Sequence, residues 1–87
     1  MKFNQKQKDI IIDCGALNFT PQEIALLLEI PIDKVNTLLQ DKQSDFYKWI
    51  EKGRITARYV LLKKLFTMAQ EGDLKALAEF EERIERD

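Results

Sequence analysis

The chain has 87 residues, 45% hydrophobic and 33% charged, with a net charge of −1. Those figures fit one small folded domain or two helical subdomains sharing a core, rather than a disordered chain. There is no histidine and a single cysteine, Cys14. A histidine-based zinc site, a catalytic triad and an intramolecular disulfide are thereby excluded, and a cytoplasmic location is expected.

The longest unbroken apolar runs, Ile24 to Leu28 and Tyr59 to Leu62, are far too short to cross a bilayer, so no membrane partner is expected. Charge is strongly segregated. Residues 14–41 carry only Lys34 against Glu23, Glu29, Asp33 and Asp41, a net −3. Residues 42–64 carry Lys42, Lys48, Lys52, Arg54, Arg58, Lys63 and Lys64 against Asp45 and Glu51, a net +5. Residues 65–87 return to −4, with seven acids against Lys75, Arg83 and Arg86. Three glycines and two prolines leave little punctuation for a sheet, and an all-α chain is expected.

The first predicted helix starts near Gln5 and ends at Asp13 or Leu17, with Ile10, Ile11, Ile12 and Leu17 as its buried face. Gly15 and Asn18 compete as its stop signal. The second helix has a full set of start signals. Thr20 suits the N-cap, Pro21 the first helical position, and Glu23 completes a capping box. Phe19 lies where it can staple onto Ile24. Ile24, Ala25, Leu27 and Leu28 are its expected core face, and Pro31 ends it. A third helix follows from about Ile32 to Leu39 or Gln40, burying Ile32, Val35, Leu38 and Leu39.

Residues 41–44 read as a connector, with Ser44 the N-cap of the next helix. From Asp45 to Gln70 there is no proline, so one long helix is predicted, with Gly53 the point where it would bend or break. Gly72 reads as a C′ residue and Asp73 as the following N-cap, which gives a tight helical hairpin. The last helix runs from Leu74 to about Arg86 with the stripe Leu74, Leu77, Phe80 and Ile84. The expected architecture is therefore an N-terminal three-helix unit with a helix-turn-helix, residues 1–43, then a long helix and C-terminal hairpin, residues 44–87.

A helix apolar on most of its circumference needs cover on several sides. One face of the long helix presents Tyr59, Leu62, Phe66 and Ala69, for which the chain has no second covering element. Those residues are the expected contacts of a homo-oligomer. Residues 79–85 include Glu79, Glu81, Glu82 and Glu85, but Arg83 interleaves with them, so they read as a solvated face rather than a metal site. No phosphate loop or nucleophile motif is present, and neither enzyme activity nor a cofactor is expected.

In a helix-turn-helix the second helix meets base edges. Lys34, Asn36, Thr37 and Gln40 take those positions here. Asn36 and Gln40 have the donor–acceptor pair that adenine recognition uses, and Thr37 suits a base or a phosphate. Lys42, Lys48, Lys52 and Arg54 are the candidates for the duplex backbone. The alternative is a protein-interaction module that keeps the helix-turn-helix packing without the DNA contacts, and the acidity of residues 14–41 favours it.

The segment Thr20-Pro21-Gln22-Glu23-Ile24-Ala25 through Ile30 to Val35 resembles the N-terminal helix-turn-helix of tailed-phage terminase small subunits and related prophage proteins. Residues 46–53, followed by Ala57, Leu61, Leu65, Ala69, Gly72-Asp73 and Ala76, are similar to the long helix and hairpin that often follow it. The resemblance covers roughly residues 19–80. It implies a non-cleaving protein that binds double-stranded DNA at a packaging site, assembles into a ring and hands the DNA to a terminase large subunit. It also implies that residues 57–84 contribute to assembly. Glu29, where such motifs usually carry glycine, and Asp33 at the start of the recognition helix depart from the pattern. The chain is also short for the family, so the C-terminal extension for the motor subunit is not expected.

Overall fold

A computed structural model describes residues 2–86, the side chain of Arg86 excepted. Its elements are five helices: α1 Gln5–Ala16, α2 Pro21–Leu28, α3 Ile32–Gln40, α4 Asp45–Gln70 and α5 Leu74–Arg86. The fold is the all-α arrangement expected, a three-helix unit with a helix-turn-helix followed by a long helix and a hairpin.

Local chemistry sets most of the helix boundaries. Asn4 opens α1 in a reciprocal capping box with Gln7, its side chain accepting from the Gln7 amide at 2.8 Å while Gln7 Oε1 accepts from the Asn4 amide at 2.9 Å. The stop of α1 is Asn18 and not Gly15. Asn18 adopts φ 58°, and the Phe19 amide donates back to the Cys14 carbonyl at 3.0 Å. Asparagine tolerates this left-handed conformation better than most side chains, which is why it closes the helix here.

The Thr20 box forms as expected: Glu23 N–H donates to Thr20 Oγ1, and Thr20 N–H donates to Glu23 Oε1 at 2.8 Å. The α2–α3 turn is Glu29-Ile30-Pro31. Glu29 takes the left-handed conformation, φ 56° and ψ 45°, and the Ile30 amide donates to the Ala25 carbonyl at 3.1 Å. The position thus keeps the geometry that glycine usually supplies, at a cost of about 1–2 kcal/mol for a residue with a Cβ. Ser44 joins α3 to α4, its hydroxyl donating to the Leu38 carbonyl at 2.8 Å and accepting from the Tyr47 amide. The α4–α5 hairpin closes on Gly72 at φ 96°, with the Asp73 amide bonded to the Met68 carbonyl and the Gly72 amide to that of Ala69. Asp73 Oδ1 then caps α5 by accepting from the Lys75 and Ala76 amides, each at 3.0 Å.

The chain divides into two compact units, one up to Thr56 and one from Ala57. The core of the first contains Ile11, Cys14, Ile24, Ala25, Leu28, Val35 and Phe46, flanked by Phe3, Phe19, Leu38, Leu39, Trp49 and Ile50. The boundary therefore falls at 56/57 rather than 43/44. Phe46, Trp49 and Ile50 belong to the same core as the three N-terminal helices. Three core assignments of this unit change. Leu17 follows the last turn of α1 and is 64% exposed; Leu27 lies outside the α2 core face and is 51% exposed. Ile32 is exposed as well, while Ile12, like Ile10, Leu38 and Leu39, is half-buried.

Neither Gly15 nor Gly53 interrupts its helix. Both are buried, and a Cβ on Gly53 would meet the Ile12 carbonyl and come within 2.8 Å of the Ala16 amide nitrogen. A Cβ on Gly15 would meet the Ile50 carbonyl. The two glycines let the backbones of α1 and α4 touch where they cross, and α4 passes through that point unbroken. Cys14 lies beside this crossing. Burial, with Asp13 and Glu23 nearby, pushes its thiol above the usual cysteine range, which disfavours the nucleophilic thiolate.

Among the described residues of the second unit only Leu65 and Ala76 are buried, and Phe66 packs on Phe80 with ring centroids 5.5 Å apart. Tyr59, Val60, Leu61, Leu74, Leu77 and Ile84 are all exposed.

Candidate nucleic-acid interface

Val35 is fully buried and Leu38 and Leu39 are half-buried, so the inner face of α3 is fixed. Helical periodicity then sets Asp33, Asn36, Thr37 and Gln40 on the opposite face, all four exposed. Lys34 sits on the flank and is half-buried. Of the four recognition-helix residues expected from the sequence, Asn36, Thr37 and Gln40 share one open surface and Lys34 borders it.

Two local details modify what this surface can offer. Thr37 Oγ1 donates to the Asp33 carbonyl at 2.9 Å, so its proton is engaged in the helix and its oxygen remains an acceptor. The helix begins at Pro31 with no side-chain cap. Asp33, in the first turn, offsets the partial positive charge of those uncapped amides, which is a structural reason for an acid there.

The cationic residues divide into two kinds. Lys42, Lys48 and Lys52 are exposed. Lys48 and Lys52 are one helical turn apart on α4, on the side away from Gly53 and Phe46. Arg54 lies on a different flank and makes a two-pronged contact with Glu51, Nη2 to Oε2 at 2.8 Å and Nε to Oε1 at 3.2 Å. Those hydrogen bonds hold the Glu51 carboxyl below the usual range, the added Coulombic attraction of Arg54 acting the same way. Arg54 is thus committed to a neighbour on its own helix. Lys8 of α1 makes a cation–π contact with α4, its Nζ lying 5.6 Å from the Trp49 ring centroid.

The four expected assembly residues recur at i, i+3, i+7 and i+10, one face of α4. Tyr59 is 61% exposed, with Lys63 Nζ 5.8 Å from its ring centroid. Phe66 is 47% exposed despite its contact with Phe80. Leu62 and Ala69 are half-buried. Among the described residues no group of acids, Cys and His could hold a metal ion, and no helix is long and apolar enough to cross a membrane. Comparison of the chain with protein-family models, with curated proteins and with solved structures finds no match.

Proposed function

We propose that this protein is a DNA-binding, self-assembling helix-turn-helix protein of the terminase small-subunit kind. The observation that carries the reading is the outer face of α3. Asn36, Thr37 and Gln40 stand exposed behind a turn whose left-handed residue keeps the helix-turn-helix backbone, although that residue is Glu29. Asn36 and Gln40 offer the paired donor and acceptor that adenine recognition requires. Lys42, Lys48 and Lys52 supply phosphate contacts from outside the acidic motif. In this reading the protein acts in the cytoplasm of a bacterial host and carries out no catalytic step.

Self-assembly is the second part of the proposal. A helical hairpin of the size of residues 57–87 is below the roughly 40 residues at which a lone unit becomes self-sufficient. Covering Tyr59, Leu62, Phe66 and Ala69 with further copies would supply the missing core, and linking many weak sites raises avidity without new contacts.

Fluorescence anisotropy with a labelled duplex across a salt series tests the reading. Affinity is expected to fall steeply with salt. The Lys48→Ala/Lys52→Ala variant is expected to bind about tenfold more weakly, with its log–log slope reduced by about 1.8, or 0.9 per lost phosphate contact. Asn36→Ala is expected to leave that slope unchanged and to flatten discrimination between sequences. Binding that is indifferent to salt contradicts the proposal. Absence of duplex binding alongside intact assembly selects the interaction-module reading, which the acidity of residues 14–41 and the exposed Leu26 and Leu27 favour.

A further inference from the structure

The α2–α3 turn carries a feature that DNA recognition does not use. Gln22, Leu26 and Glu29 recur at i, i+4 and i+7 along one flank of α2. With Ile30, Pro31 and Ile32 they line an open groove of about 760 Å³. Leu26 is 79% exposed and Ile32 is also exposed. Glu29 lines this apolar surface, and Asp33 follows Ile32 in sequence. From residue 14 to residue 33 the chain contains no lysine or arginine. With one acid and no cation in its lining, the groove offers a phosphate backbone no cationic contact. It suits an amphipathic helix with apolar anchors and cationic flanks.

The chain itself contains such a helix. From Lys52 to Gln70 there is no acidic residue. Within that stretch Tyr59, Leu62 and Phe66 form an apolar row, and Lys63 stands beside Tyr59. We infer that the α2–α3 groove of one copy receives the Tyr59–Leu62–Phe66 face of α4 from a second copy. This rests on the reading that copies of the chain self-assemble, and it names the surface on which they do so. The unusual acidity of the helix-turn-helix is then the complement of a cationic helix on its neighbour. The basic residues of α4 have two tasks: Lys48 and Lys52 face DNA, and Lys63 faces the groove of the next copy.

Sedimentation velocity of the full chain over a concentration series tests this, with circular dichroism confirming that each variant keeps its helix content. Leu26→Ser and Glu29→Lys are expected each to raise the concentration of half-assembly about tenfold, the scale of a single interface anchor. Lys63→Glu is expected to do the same. The Glu29→Lys/Lys63→Glu double variant is expected to assemble better than either single one, because the swapped charges attract again. If Leu26→Ser and Glu29→Lys assemble like the parent, the groove assignment is overturned. Loss of assembly in Tyr59→Ser under that outcome leaves the self-assembly reading standing through another surface. A parent chain that stays monomeric at every concentration overturns both.

Discussion

Gly53→Ala is expected to destabilise the protein by about 3 kcal/mol, the upper end of the usual cost of overpacking a core. Two effects oppose each other at this position. Alanine is favoured over glycine inside a helix by about 1 kcal/mol, and Gly53 lies well inside the 26-residue helix α4. Against that, the new Cβ would run into the Ile12 carbonyl and sit 2.8 Å from the Ala16 amide nitrogen. Both obstacles are backbone atoms of another helix, so no side-chain rotation relieves the clash and α1 and α4 must separate. The steric term wins. Gly15→Ala, whose Cβ would meet the Ile50 carbonyl on the other side of the same crossing, should behave alike. Urea denaturation followed by circular dichroism measures both, and a midpoint equal to or above the parent's would refute close backbone approach.

The same two glycines mark the limit of what the sequence discloses. Propensity alone makes Gly53 a weak point and Gly15 a candidate stop alongside Asn18, because glycine breaks helices when nothing else is known. Their actual role depends on which helices cross at them, and that is decided by contacts between residues some forty positions apart. Signals confined to a few neighbouring residues are legible. Thr20 with Glu23, Ser44, and Gly72 with Asp73 all act as their spacing suggests. The Asn4–Gln7 box is a local signal of the same kind, carried by two residues three positions apart. Leu17 and Leu27 show the opposite case, since an apolar residue near a core face is not thereby covered.

For the candidate interface, legibility follows the same division. Helical period alone is enough to put Asn36, Thr37 and Gln40 on one face. The Glu51–Arg54 pair follows from i, i+3 spacing. Lys8 over Trp49 is a contact between distant parts of the chain and carries no local mark. The groove beside Leu26 is likewise invisible in sequence, where Leu26 reads as one more residue in an apolar run.

A fragment ending at residue 43 is expected not to fold, whereas one ending at residue 56 is expected to keep the helix content of the first unit. The difference is the first three turns of α4. Phe46 is among the largest fully buried side chains, in a cluster with Ile11, Cys14, Val35 and the α2 core, and its ring lies 5.7 Å from that of Phe3. Trp49 meets Phe3 edge-on at 6.1 Å, and Ile50 packs on the same cluster. Without these three side chains the short helices α2 and α3, eight and nine residues long, lose one wall of their core. Helices of that length are not stable on propensity alone. Phe46→Ala in the full chain isolates the largest of these contributions. It should cost about 3–5 kcal/mol, against a stability of the order of 5–15 kcal/mol for native proteins in general. Circular dichroism of the two fragments, with urea titration of the Phe46→Ala chain, measures the effect. A cooperatively folded fragment 1–43 would return the domain boundary to the α3–α4 connector and make α4 an accessory to the helix-turn-helix. An unfolded one makes α4 part of it, so the Lys48 and Lys52 proposed to hold DNA stand on the same rigid unit as the recognition face of α3.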